Sequence, residues 1–254
     1  MAETAEDLAS LSGVLAAGFG KDGNFTVVVE EGTEDMFECS NEIEASVKCT
    51  EFKVWSFVLA RWSPVFEKML GSDNYAESQQ SQVVIQDFSA GAVEIFLRFL
   101  YSGRVGGSVA VLVEVAALAD KYQVQALPPL CFRLVRKTLK PEEACKVFAL
   151  ADRLHAVEMR REALDLIFTK PKEALTKRPN LRAELLEEIL GSGLLCIQNH
   201  ALRKILRRWG TDTGGSLESM IHVDTESEHT KDVFYKLWER YEDAGNKGVF
   251  VGAW

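Results

Sequence analysis

Every strand-like run in this chain falls before residue 89, and from Ala90 onward the apolar residues recur at helical spacing. Strands gathered at the front with helices behind predict an α+β chain, a short sheet with flanking helices followed by an all-helical part. "NFTVVV" (Asn24–Val29) is β-branched and reads as a buried strand. A second strand around Phe52–Val54 passes into a helix within "EFKVWSFVLARWSPVFEKML", where Ser63-Pro64 opens another helix with proline in its first turn. "SQVVIQDF" (Ser81–Phe88) is the third strand. Val93, Phe96, Leu97 and Leu100 then mark one helix and Leu112, Val115, Leu118 and Ala119 the next, with Gly103, Gly106 and Gly107 between them. Pro128-Pro129 and Lys140-Pro141 bracket a further helical run. Helices are expected over 141–153, 156–168, 180–190 and 197–209, with Asn180 as an N-cap and Gly191 as a stop.

Within the helical part, "ALADKYQV" (Ala117–Val124) and "ALADRLHA" (Ala149–Ala156) repeat the same first four letters 32 residues apart. Spacings of roughly 20–50 residues arise from repeated helical hairpins, each burying a face on the next. The 254 residues, 47% of them hydrophobic, suffice for two modest cores. A net charge of −9 argues against a nucleic-acid binder, which needs clustered cations to displace counterions. Cys39, Cys49, Cys131, Cys145 and Cys196 are odd in number, scattered, and never in C-x-x-C spacing, so they read as reduced thiols of cytosol or nucleus.

The N-terminal stretch carries Glu3, Glu6 and Asp7 where an export signal would be positive, and no run approaches the roughly 18 apolar residues of a membrane span. Leu8, Leu11 and Leu15 form one stripe of a short helix that needs a partner. Glu30–Glu51 holds eight acids against Lys48 and reads as a long solvated hairpin or loop. Gly210–Thr230 has the composition of a linker. Beyond it Val233, Phe234, Leu237, Trp238 and Tyr241 share one face of a final amphipathic helix, which is expected to dock on the preceding helices or to recognise a partner.

"FVLARWSPVFEKML", "VVIQDFSAGAVEIFLRFLYSGRV" and "VEVAALADKYQVQALPPLCFRLV" resemble, in order, the signature segments of a BTB/POZ domain. Residues 140–209, ending "LGSGLLCIQNHALRKILRRWG", resemble a short BACK-type helical-hairpin extension, with Trp209 where that family places a tryptophan. The layout is similar to that of the speckle-type POZ family of cullin-3 adaptors. The resemblance implies four parts: a dimerisation helix and turn over 1–22, a BTB/POZ domain over 23–139, a BACK-like domain over 140–209, and a linker with an amphipathic helix over 210–254. It also implies a non-enzymatic adaptor that joins cullin-3 to an unidentified protein substrate, with a self-association scaffold or transcription-linked oligomeriser as the alternative. Relatives that recruit substrates carry a MATH or kelch domain. Neither is present here, so the helices and tail recognise a substrate or the sequence is part of a longer protein.

The family's hydrophobic-x-acid motif maps to Tyr75-Ala76-Glu77, with Met69 and Leu70 beside it as cullin contacts. Tyr75 would seat an amphipathic ring in a partner groove and Glu77 would hydrogen-bond at its edge, an anchor-and-rim arrangement. Leu8, Leu11, Leu15 and, from the facing helix, Val58 are the implied homodimer contacts. Asn24 and Val54-Trp55-Ser56 depart from the family pattern and speak against a corepressor-type charged groove. In the repeat, Ala119 and Ala151 are small so that helices approach closely. Asp120 and Asp152 would lie about 8–10 Å apart in stacked hairpins, facing water or capping a neighbour rather than sharing a metal or proton.

Gly18 to Gly23 spells G-x-G-x-x-G, but a helix precedes it and a strand follows, the reverse of a nucleotide fingerprint, so it is read as a turn. His155, His200, His222 and His229 lack ligand spacing, and no nucleophile elbow or Walker lysine occurs. No cofactor or metal is expected. Arg203, Lys204, Arg207 and Arg208 are read as a basic helix end favoured by the helix dipole.

Overall fold

The central strand β1 (Phe25–Glu31) is buried along Phe25–Val29 because it is covered on both faces and paired on both edges. It runs antiparallel to β2 (Lys48–Val54) and parallel to β3 (Gln82–Ile85), giving the order β2-β1-β3. The computed structural model describes residues 19–20, 22–31, 48–72 and 74–210. The chain divides into two compact units, one made of residues 1–138 with 154–156 and the other of 139–153 with 157–254.

In the first unit the parallel pairing of β1 and β3 requires a crossover, supplied after β2 by three short helices: α1 (Ser56–Trp62), α2 (Pro64–Leu70) and α3 (Ala76–Gln80). Then come α4 (Ala90–Ser102), α5 (Val109–Lys121) and α6 (Leu127–Thr138). Ser89 and Ser108 cap α4 and α5 by accepting from the amides of Ala92 and Val111. Val93, Phe96, Leu97, Leu100, Leu112, Val115, Leu118 and Ala119, the residues whose spacing announced these helices, are all buried. The glycine-rich turn ahead of β1 is required sterically, since a Cβ at Gly23 would collide with the backbone of Val54. Phe19 pins this turn, 5.5 Å from the Tyr101 ring and 6.2 Å from that of Phe52, with the Arg98 guanidinium over its face.

Part of the predicted acidic loop is sheet. Glu30 and Glu31 pair with Cys49 and Lys48, and Lys48 lies 3.9 Å from the Glu31 carboxylate, because cross-strand pairing carries the ladder beyond the apolar residues. The remainder, residues 32–47, lies outside the described residues, as do Leu8, Leu11 and Leu15 and the tail residues Phe234, Leu237, Trp238 and Tyr241.

The repeated sequence has a local meaning in the backbone. Gln123 and His155, at equivalent places in the two copies, both adopt left-handed conformations with φ of 55°. After α5 the Val124 amide donates to the Ala119 carbonyl and the Gln123 amide to that of Asp120, the two bonds of a Schellman stop. The motif therefore terminates helices. Since a left-handed residue with a Cβ costs about 1–2 kcal/mol, Gln123→Gly is expected to raise stability by about 0.5–1 kcal/mol after its own entropy cost. Urea unfolding of the two proteins checks this, and a less stable variant would contradict it.

Helices are the regular structure among the second unit's described residues: α7 (Pro141–Arg153), α8 (Val157–Thr169), α9 (Pro171–Ala174), α10 (Ala183–Gly191) and α11 (Asn199–Gly210). Its core includes Phe148, Ala151, Ala163, Ile167, Leu186, Ile189, Leu206 and Trp209. Two boundaries differ from the sequence reading. Asn180 is not an N-cap, because the Leu181 amide closes a tight turn onto the Pro179 carbonyl and places Arg182 at the cap. Gly191 still belongs to α10, and the left-handed turn falls at Gly193. The short α9 begins at Pro171 and was not foreseen.

Asp152 is paired rather than solvated. Arg160 donates to it through Nε at 2.8 Å and to Glu188 through Nη2 at 2.5 Å, while its guanidinium stands 4.7 Å from the Phe148 ring centre. Arg182 donates to the other Asp152 oxygen at 2.7 Å. These bonds, that from Arg160 foremost, hold the Asp152 carboxyl below its ordinary value of 3.8. A lowered folded value stabilises the fold fully above the unfolded value, and that stability disappears as pH falls through the folded one. Arg160→Met should therefore destabilise clearly near about pH 6 and less at the lowest pH at which the wild type still folds. A deficit unchanged between the two, measured by urea unfolding, would contradict the pairing.

Candidate protein-interaction surface

Helix α2 owes its placement to Ser63, a buried polar residue satisfied in both directions. Its Oγ accepts from the Phe66 amide at 3.0 Å and donates to the Tyr122 carbonyl at 2.5 Å. Pro64 fixes the first turn, and Phe66 turns inward to stack on Tyr122 with ring centres 4.3 Å apart. The helix ends at Gly71, whose amide donates to the Glu67 carbonyl at 3.0 Å. A Cβ there would approach that oxygen to 2.9 Å, so the turn away from α2 favours glycine.

This turn delivers Tyr75 to the surface. Its backbone leads into α3, but its side chain makes no capping bond and is 46% exposed. The ring borders a shallow groove lined by Glu67, Lys68, Gly71, Ser72 and Asn74. Glu77 follows in the first turn of α3, half-buried, and its charge reaches inward far enough to act on Tyr122. The Tyr122 phenol is pushed up to about 12, by burial first and then by Asp87 and Glu77. Met69 and Leu70 are half-buried at the end of α2. Ser81 closes α3 in a left-handed conformation, and its carbonyl accepts from the Thr26 amide at 3.0 Å, which ties the segment to the sheet.

A second surface was missed by the sequence reading. Val58 is only 8% exposed, whereas Phe57 beside it is 65% exposed and Trp55 and Trp62 are 41% and 38% exposed. Phe57, Ala60, Arg61, Trp62, Pro64 and Glu67 line a groove along α1 and α2. Trp55 is anchored by its amide, which donates to the Tyr101 hydroxyl at 2.8 Å, and Trp62 leans on Phe99 at 5.4 Å. Asn24 accepts from the Ser56 amide and donates to its hydroxyl, both at 2.9 Å. An aspartate could accept from the Ser56 amide and, with the hydroxyl turned to donate, from the hydroxyl as well, so what the asparagine changes is that this corner is held without charge. An aromatic residue off the Val58–Leu59 face was the signal available for this patch.

Among the described residues no group of three or more His, Cys, Asp or Glu converges as a metal site, and no helix is long and apolar enough to cross a membrane. Burial pushes the Cys131 and Cys145 thiols up to about 12 and about 11, which leaves them protonated and unreactive at neutral pH.

Residues 34–139 match the family model for the BTB/POZ domain. BTB and MATH domain-containing protein 42 of Caenorhabditis elegans is 27% identical over 179 residues, covering 65% of this chain and 44% of the relative. Kelch repeat and BTB domain-containing protein 4 of Homo sapiens is 28% identical over 168 residues, 65% of this chain and 31% of the relative. The chain thus spans less than half the length of these curated relatives. Among solved structures, the BTB domain of zebrafish PATZ1 aligns with 53% of this chain and 92% of its own, at 18% identity and a TM-score of 0.34.

Proposed function

Because the chain carries a BTB/POZ domain, a protein-interaction domain, we propose that it works as a homodimeric adaptor joining a cullin-3 ubiquitin ligase to a protein substrate. The observation that carries this reading is the exposed Tyr75 ring at the entrance to α3, with the Glu77 carboxylate in the following turn. An aromatic anchor with a polar neighbour is the pattern of a binding hot spot. Met69 and Leu70 extend the contact from the end of α2. In this reading residues 140–209 are a BACK-like extension, and the substrate binds outside the cullin surface. A pull-down with cullin-3 tests the reading. Retention of cullin-3 supports it. A dimer that leaves cullin-3 in the supernatant makes the chain a self-association scaffold or transcription-linked oligomeriser instead.

The homodimer would pair the Leu8, Leu11 and Leu15 stripe with the α1 face of a second copy, to which Phe57 and Trp62 contribute more accessible area than Val58. Leu8→Asp with Leu15→Asp is expected to give a monomer in sedimentation, since unpaired carboxylates resist burial by several kcal/mol, on the order of the desolvation cost. A dimer of unchanged mass would sink the proposed role of the leucine stripe.

A further inference from the structure

Trp209 stands out among the described residues as a buried donor that meets no acceptor. It is 3% exposed, lies on the inner face of α11 with Leu202, Ile205 and Leu206, and its indole Nε1 has no hydrogen-bond partner. Burying an N–H without a partner forfeits its bonds to water, a cost that folded chains rarely leave standing. Phenylalanine or leucine would fill the same face without that cost, so the indole nitrogen calls for an acceptor beyond the described residues. Helical side chains lean toward the N-terminus of their helix. A residue just past Gly210 is therefore poorly placed to reach the nitrogen, and a segment folded back along α11 is better placed.

The chain itself carries a segment of the required chemistry. Val233, Phe234, Leu237, Trp238 and Tyr241 recur at helical spacing in the tail, an apolar stripe that needs cover. Of these five side chains only that of Tyr241 has an oxygen; Trp238 donates but does not accept, and carbonyls inside a helix are taken by the helix. Residues 211–232 join the stripe to α11, and as a flexible coil they reach about 26 Å, more than the roughly 18 Å length of the 12-residue α11. Such a tether holds the stripe beside the second unit at an effective concentration on the order of millimolar, an advantage that no separate partner has. We propose that the tail folds back on the second unit, its stripe seated over Trp209 and the Tyr241 hydroxyl accepting from the indole Nε1. The tail is then an intramolecular element of that unit rather than a free recognition helix, whether or not the chain binds cullin-3.

A double-mutant cycle in the full chain tests it, with Trp209→Phe, Tyr241→Phe and the two together compared by urea unfolding. Trp209→Phe also loses ring volume, but that loss is the same in both backgrounds and cancels from the cycle. Each single change removes one partner and strands the other, whereas the pair of changes removes both. Tyr241→Phe is expected to lower the folding equilibrium constant about fivefold in the wild-type background, and to leave it unchanged or higher in the Trp209→Phe background. Phe234→Asp with Leu237→Asp, which puts charge on the stripe, should abolish this coupling. Additive effects of the two phenylalanine substitutions would overturn the proposal and return the stripe to a separate partner. A coupling that disappears on about tenfold dilution would assign the contact to the tail of a second copy, and one that survives the two aspartates would show that no docking of the stripe carries it; either result overturns the proposal as well.

Discussion

Phe66→Ala is expected to cost about 3–5 kcal/mol, a large share of the roughly 5–15 kcal/mol that holds a domain of ordinary size. Phe66 is 1% exposed and lies almost parallel to Tyr122, at an interplanar angle of 7°. Tyr122 in turn stands 6.0 Å from Phe96 of α4. Removing the ring opens a cavity between three elements whose backbones are already fixed: α2 by its Ser63 cap, the end of α5 by its Schellman stop and the Ser63 bond, and α4 by the Ser89 cap. They cannot collapse freely into the space, which puts the expected cost at the upper end for a phenylalanine. Urea unfolding measures it, and Phe66→Leu, which refills much of the volume, should recover a good part of the loss. A deficit below about 1.5 kcal/mol for the alanine variant would show that the site relaxes. The same substitution should weaken any partner that grips Tyr75, because α2 and its Gly71 turn set where that ring emerges.

How much of this could be read from the chain depends on the range of the interaction. The three strands and most helices were legible because they rest on periodicity and on local signals such as the Ser63-Pro64 helix start and the Gly103, Gly106 and Gly107 break. Gln123 and His155 explain the repeat, yet neither residue type announces a left-handed turn, so only the coincidence of the letters was visible. Asn180 looked like a cap, and a tight turn at Pro179–Leu181 overrode it. The four-residue α9 was too short to show a period. Arg160 was illegible for a different reason: its partners Asp152 and Glu188 lie 8 and 28 residues away, and only tertiary packing brings them together. The exposure of Phe57 and Trp62 was missed because apolar letters in a helix are read as core until the inward face is known. Tyr75-Ala76-Glu77 stood out through family resemblance and position. Composition alone does not distinguish it from any surface loop.

The largest functional effect is expected at that motif. Tyr75 leaves nearly half its surface accessible with its ring beside a groove, whereas Glu77 is partly tucked in toward Tyr122. Tyr75→Ala removes the anchor without opening a core cavity, and Glu77→Lys reverses the charge in the turn that follows it, so neither change should unfold the domain. Hot-spot residues cost about 2 kcal/mol or more each when lost, and 2 kcal/mol corresponds to about a 30-fold change in affinity. Calorimetric titration of the cullin-3 N-terminal region into wild-type protein, and into the variant carrying both changes, tests the account most directly. Saturable binding by the wild type, weakened at least about 30-fold in a variant that still unfolds at the wild-type temperature, is the predicted result. Heats indistinguishable from dilution for the wild type, or equal affinities for the two proteins, would contradict it.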